Sequence, residues 1–315
     1  MFLFIVLGYS NRCLTSSNVN IKKTYMPKIK DLFPNKKQTF SFEFFPPKTE
    51  EGYQNLLKTI SELSLLTPDF MTCTYGAGGG NRDKTFDIVE HIQKKYGIIG
   101  VAHLTCVLHT RDEMKTILEN IKSRGIQNVL ALRGDSPLDQ PDWQPGAQNL
   151  KYSSELCEFI RKHFGDYFGI GVAGFPEGHI LCRDRERDAQ YLKVKIDNGA
   201  DFVITQLFFN NQDYFDYVKR LKKIGVTNRV IPGILPITDY QKLLKFANLC
   251  GATVTEELKK IFEPIQNDPQ KTLEAGIQFT IGQCRELLNG GAPGLHFYCL
   301  NKLHPVDEIL KGVRV

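Results

Sequence analysis

A carboxyl able to hand over a proton is the first candidate for chemistry in this chain. Glu43 stands in the run Ser41-Phe42-Glu43-Phe44-Phe45-Pro46-Pro47. Phe40, Phe42 and Phe44 alternate with Ser41, Glu43 and Phe45, the period of two that marks a strand with unlike faces. The two prolines end it. An acid at a strand end among phenylalanines is expected to be partly desolvated, which disfavours its charged form and raises its pKa. A raised carboxyl is what general acid catalysis near neutral pH requires. Taken alone, such a residue is more often a rim glutamate held by an arginine or by backbone donors. The ends of the strands that follow change that weighing.

Apolar spacing and breaker residues predict strands over 38–45, 70–75, 98–106, 128–132, 168–173, 201–208, 229–235 and 295–300. Helices are expected over 49–66, 83–95, 111–124, 153–164, 183–198, 212–224, 240–248, 256–262 and 268–288, with a short one near 28–33. Strand–helix alternation predicts a parallel sheet, and eight units are the count of a (β/α)8 TIM barrel, here with an extra helix or two. An open doubly wound sheet is the competing architecture, but its usual strand number is smaller. In a barrel all C-terminal strand ends share one mouth, where active sites are built. Those ends carry Glu43, Thr74-Tyr75, His103, Arg133-Gly134-Asp135, Gly174-Phe175, Gln206 and Asn301.

Other segments carry weaker signals. Gly76 and Gly78 follow a strand and precede a helix, as in a dinucleotide fingerprint, but the third glycine position holds Asn81. A flexible loop that lets a planar ligand approach the backbone is the better reading, beside that of a plain turn. His179 lies just past the fifth strand, near Arg183, Arg185, Arg187 and Lys195. That run is usually a solvated helix face; with the histidine it can also neutralise a pyrophosphate. Tyr152 and Phe175 offer stacking surfaces for an aromatic cofactor, or core packing.

Composition narrows the class. The chain has 315 residues, 42% apolar and 24% charged, with net charge +5. That is ordinary for a globular enzyme. It lacks the basic stripe with interleaved aromatics of a nucleic-acid binder, and the mild positive field suits capture of an anionic small molecule. The eight cysteines form no Cys-x-x-Cys pair, so free thiols in a reducing cytosol are expected and no metal site is. The apolar opening from Met1 to Leu7 is too short to span a bilayer and has no preceding basic region. Residues 1–27 are therefore expected to be a disordered or misannotated extension, with Met26 a possible start. Residues 28–315 are expected to form a single catalytic domain.

Several runs together resemble one family. Ser41-Phe-Glu-Phe-Phe-Pro-Pro47, Thr74-Tyr-Gly-Ala77, His103-Leu-Thr105, Ala131-Leu-Arg-Gly-Asp135, Val172-Ala-Gly-Phe-Pro-Glu-Gly-His179, Ile204-Thr-Gln-Leu-Phe-Phe209, Pro232-Gly-Ile-Leu-Pro236 and Leu295-His-Phe-Tyr-Cys-Leu-Asn301 are similar, in order and spacing, to methylenetetrahydrofolate reductase. The resemblance runs from about residue 38 to the C-terminus. It implies a cytoplasmic FAD-containing barrel, expected to be a homo-oligomer. Its reaction would be reduction of 5,10-methylenetetrahydrofolate to 5-methyltetrahydrofolate with NADH or NADPH, by ping-pong hydride transfer.

Carried over by position, Glu43 matches the general acid, Asp135 a carboxylate beside flavin and folate, and Gln206 an amide that meets pterin or nicotinamide. Thr74, Tyr75, Ala77, His103, Arg133, Gly134, Tyr152, Ser153, Phe175, His179, Asp188 and Lys195 fall on FAD-contacting positions. Departures are Phe175, where bacterial members often have tyrosine, Val194 in place of a basic residue, and Lys302, where an arginine commonly meets a folate carboxylate. Lys242 lies at a variable, folate-adjacent position. Animal and fungal members continue into a regulatory domain that binds S-adenosylmethionine, which the resemblance implies this chain lacks. The rivals are a barrel oxidoreductase acting on another pterin or imine, and a flavin-binding module without turnover.

Overall fold

The computed structural model describes residues 26–75, 82–136, 140 and 142–314. The expectations placed on the first 25 residues, on the glycine run 76–80 and on Ala77 lie outside the described residues.

All eight expected strands form, and every pairing is parallel. In chain order they are β1 (Thr39–Phe44), β2 (Phe70–Cys73), β3 (Ile99–Thr105), β4 (Asn128–Leu132), β5 (Gly169–Gly174) and β6 (Phe202–Thr205). The seventh is split into β7 (Arg229–Ile231) and β8 (Gly233–Ile234), and β9 (Gly294–Tyr298) is the last. The split falls at Pro232, which has no N–H to give the ladder. β7 pairs with β6 and β8 with β9, so the two ends of the order β7-β6-β5-β4-β3-β2-β1-β9-β8 are consecutive residues. The sheet thereby closes into a TIM barrel.

Two hydrogen bonds bridge the break: His296 N–H donates to the Pro232 carbonyl (3.0 Å) and Gly233 N–H to Thr205 Oγ1 (2.9 Å). A Cβ at Gly233 would sit 2.2 Å from the Thr205 carbonyl oxygen and 2.6 Å from the Tyr298 hydroxyl. Gly233→Ala is therefore expected to cost about 2–3 kcal/mol through forced separation of the closing strands. Urea denaturation checks this, and an unchanged midpoint would contradict this closure.

A short helix α1 (Ile29–Leu32) precedes β1, and the other helices surround the sheet: α2 (Glu50–Ser64), α3 (Arg82–Tyr96), α4 (Arg111–Ser123), α5 (Ser153–Phe164), α6 (Arg185–Asp197), α7 (Asn211–Lys223), α8 (Tyr240–Cys250), α9 (Glu256–Phe262), α10 (Pro269–Asn289) and α11 (Val306–Val313). Their starts are set by side chains that accept orphan N–H groups, such as Thr110 with Glu113 in a capping box, Asp184, Asn210 and Asp239. α11 was not among the expected helices. It buries Val306, Ile309 and Leu310, and its Arg314 cap reaches back to the Leu66 carbonyl.

Period two then decides what faces the barrel axis. Phe42 and Phe44 are fully buried in the outer layer between sheet and helices, while Ser41 and Glu43 turn inward toward His296. α1 plugs the N-terminal end: Ile29 packs in one cluster with Phe70, Ile99, Leu130, Phe202 and Ile231, and its N–H donates to Asn128 Oδ1 (2.8 Å). The floor is greasy and closed. What remains open is the opposite mouth.

Candidate active site

A cavity of about 630 Å³ opens among the C-terminal strand ends, a volume that suits an organic ring system. Glu43 lies at its base with 18% of its side chain exposed. Its Oε2 is 3.3 Å from His296 Nε2, 3.4 Å from His103 Nε2 and 3.4 Å from Thr72 Oγ1. Burial alone would push the carboxyl up. The electrostatic pull of His103 and the hydrogen bond from His296, with smaller help from Thr72, together outweigh burial and hold it below the ordinary carboxylate value. This corrects the raised pKa expected from the sequence: Phe42 and Phe44 point away, and His103, His296 and Thr72 meet the carboxyl. Burial lowers His103 to about 4, against the upward pull of Glu43.

Thr74, Tyr75, His103, Gly134, Asp135, Phe175 and Gln206 also line the cavity, as the sequence predicts for the mouth. Gln206 Oε1 accepts from the N–H of Leu207 (2.9 Å), so its amide nitrogen is the end directed to a ligand. Asp135 is 99% exposed at the rim, with Arg133 Nη2 3.6 Å away. Gly134 adopts φ +81°, and a Cβ there would meet Thr105 at 2.9 Å, so the turn carrying Arg133 and Asp135 needs glycine.

The remaining charged residues gather beside β5. Lys195 Nζ donates to the Ala173 carbonyl (2.9 Å) and lies 5.6 Å over the Phe175 ring. Asp188 is buried, and burial pushes it up to about 6 against the Lys195 charge and the His179 backbone N–H. Burial, then the charges of Arg133 and Lys195, lower His179 against the upward pull of Asp135. Its Nδ1 accepts from Leu181 N–H (3.0 Å), leaving Nε2 as the donor. Arg185 and Arg187 do not join: Arg185 pairs with Asp213 (2.8 Å) and Arg187 with Asp184 (3.9 Å).

Seven expected contacts lie outside the cavity wall: Arg133, His179, Asp188 and Lys195 of the charged group, and Tyr152, Ser153 and Lys302. Tyr152 is exposed and Ser153 buried at the start of α5, and Lys302 is exposed past β9. Asn301 is a loop anchor: its Oδ1 accepts from Phe45 N–H (3.0 Å) and its Nδ2 donates to the Phe45 carbonyl (2.8 Å).

A sequence profile of methylenetetrahydrofolate reductase matches residues 28–314. The chain belongs to the methylenetetrahydrofolate reductase family. Among its relatives, methylenetetrahydrofolate reductase (NADH) 1 of Arabidopsis thaliana is 38% identical over 295 residues, 91% of this chain and 49% of the plant protein. This chain thus spans about half the length of such plant relatives. 5,10-Methylenetetrahydrofolate reductase of Salmonella typhimurium is 36% identical over 263 residues, 83% of this chain and 86% of that protein. A solved protein from Clostridium thermocellum, described as binding two copies of 5-methyl-5,6,7,8-tetrahydrofolic acid, shares the fold: TM-score 0.63, 17% identity, covering 90% of this chain and 96% of that one.

Within this reductase-family barrel, sequence reasoning missed His296, Thr72 and Tyr298. His296 is fully buried, stacked on Phe70 (centroids 6.1 Å, 14° between planes). Tyr298 donates to the Thr205 carbonyl (2.6 Å) and lines the cavity. The signal was present: His296 and Tyr298 are two apart on a strand, hence on one face. Phe246 and Cys250 of α8 form another wall, and no strand-end rule points to a helix. Among the described residues, no helix is long and apolar enough to cross a membrane.

Proposed function

We propose that this chain reduces 5,10-methylenetetrahydrofolate to 5-methyltetrahydrofolate with NADH or NADPH, using a resident FAD and a ping-pong order. The single observation that carries the reading is a mouth with an inward-facing acid at its base and a cationic annex at its side, on a reductase-family barrel.

The residues fit FAD. Among the described residues the buried Nε2 of His103 makes no hydrogen bond, its 3.4 Å approach to Glu43 Oε2 lacking hydrogen-bond geometry, so the occupant of the mouth is left to supply one. Leu130, Leu132, Ala173 and Ile204 give the cavity apolar walls suited to a flat ring. Arg133, His179 and Lys195 would hold the diphosphate, and Asp188 a ribose hydroxyl. When bound, FAD takes a hydride from the nicotinamide and passes it to the one-carbon bridge of the folate.

Glu43 supplies the proton. It protonates the folate nitrogen whose bond to the bridge opens, leaving a cationic iminium at the other nitrogen. A bound pterin displaces the water that still reaches Glu43, adding to the upward push of burial on its pKa. Asp135 faces the iminium and favours its positive charge. Gln206 offers its amide nitrogen to whichever substrate is present, so one face serves both in turn. A module that only stores flavin has no use for an inward acid. The cytoplasmic setting agrees with the free, buried thiols of Cys73, Cys106, Cys157, Cys284 and Cys299, Cys106 being pushed up to about 12 by burial.

Purified protein loaded with FAD tests this. The visible flavin band is expected to bleach with NADH or NADPH under anaerobic conditions and to return when methylenetetrahydrofolate is added. A band that bleaches but does not return would point to a different acceptor.

A further inference from the structure

Below Glu43, on the same face of β1, lies a serine to which the sequence reading gave no role. Ser41 is fully buried; its Oγ is 2.8 Å from His296 Nδ1 and 3.4 Å from the Leu295 carbonyl. The other nitrogen of the same ring, Nε2, is 3.3 Å from Glu43 Oε2. Serine, histidine and acid thus form one chain, as in a nucleophilic triad. Ser41 cannot be a nucleophile here, because no part of it reaches the cavity. The chain runs the other way, toward the acid.

A neutral imidazole carries one proton, so the partner of one nitrogen decides the state of the other. The close approach of Ser41 to Nδ1 and its poor distance to Leu295 favour a hydroxyl that donates to Nδ1. The ring proton then sits on Nε2, facing Glu43. Phe70 stacks on the ring and Tyr298 packs edge-on at 5.5 Å, so the ring is held in this orientation.

We infer that Ser41 is a positioning residue: by donating to Nδ1 it fixes the proton of His296 on Nε2 and keeps a hydrogen-bond donor aimed at the Glu43 carboxylate. This rests on the proposed role of Glu43 as proton donor. The carboxylate left after proton release is met by an N–H rather than by a lone pair. The titratable groups facing Glu43 are His296 and Tyr298 from β9, His103 from β3, Cys73 from β2, and Cys299 just past β9. Burial raises the tyrosine and both thiols, so they are neutral near pH 7, and the two imidazoles, with the Thr72 hydroxyl, answer the charge of Glu43.

Ser41→Ala tests this. Folate reduction requires protonated Glu43, so its rate falls as pH rises through the Glu43 pKa. Without Ser41, Nδ1 loses its donor, the carboxylate loses its assured partner, and the fall is expected about one pH unit higher. Reduction of the flavin by nicotinamide is expected to keep its wild-type pH profile, and Ser41→Cys, a weak donor, to fall between. An unshifted Ser41→Ala profile would overturn the assignment.

A second measurement does not depend on turnover. Nitrogen-15 NMR of the imidazoles in the unreacted protein is expected to show His296 protonated on Nε2 in wild type and redistributed toward Nδ1 in Ser41→Ala. A wild-type ring protonated on Nδ1 sinks the inference even if folate is reduced as proposed. Failure of folate reduction in wild type with the expected tautomer would instead sink the proposed function and leave the hydrogen-bond assignment standing.

Discussion

Glu43→Gln is expected to take hydride from the nicotinamide at nearly the wild-type rate and to lose folate reduction by about 10²–10⁴-fold, the usual contribution of a positioned acid. Gln keeps the size of the side chain and a hydrogen-bonding oxygen toward His296 and Thr72, so the fold is preserved. What it lacks is an acidic proton. Only the folate half-reaction opens a carbon–nitrogen bond and needs one. Stopped-flow measurement of the two half-reactions separates them, and equal losses in both would assign Glu43 to cofactor placement instead.

Lys195→Met is expected to weaken FAD binding by about 10–100-fold, the equivalent of one charge-assisted hydrogen bond. Burial lowers the pKa of Lys195 and the Asp188 charge raises it, so the ammonium already sits in a costly place that an anionic ligand would relieve. Met fills the same volume without the charge. It also leaves Asp188 buried without its cation, which favours the protonated acid there. Titration of apoprotein with FAD, followed by quenching of flavin fluorescence, gives the affinity. An unchanged dissociation constant would move the diphosphate away from β5.

Much of this was legible because periodicity is local. The strand ends at His103, Asp135, Phe175 and Gln206 follow from chain spacing alone, and the barrel brings them to one cavity. The protonation of Glu43 was not legible. Its value is set by burial, by His103 two strands along the sheet and by His296, 253 residues away, and single-strand alternation cannot say which distant strand supplies the facing group. The same alternation held the clue that Phe42 and Phe44 lie on the opposite face from Glu43. Asn301 illustrates the reverse error, a polar strand end whose amide is consumed by the Phe45 backbone. α11 lies past the last strand, where a count of eight units is already complete.

The most direct test is a crystal structure with FAD and 5-methyltetrahydrofolate bound. The account predicts the flavin ring across the mouth beside His103, its diphosphate near Arg133 and Lys195, and the Glu43 carboxyl directed at the pterin. A flavin lodged at the N-terminal end beside α1, or a Glu43 side chain turned out to bulk water, would contradict it.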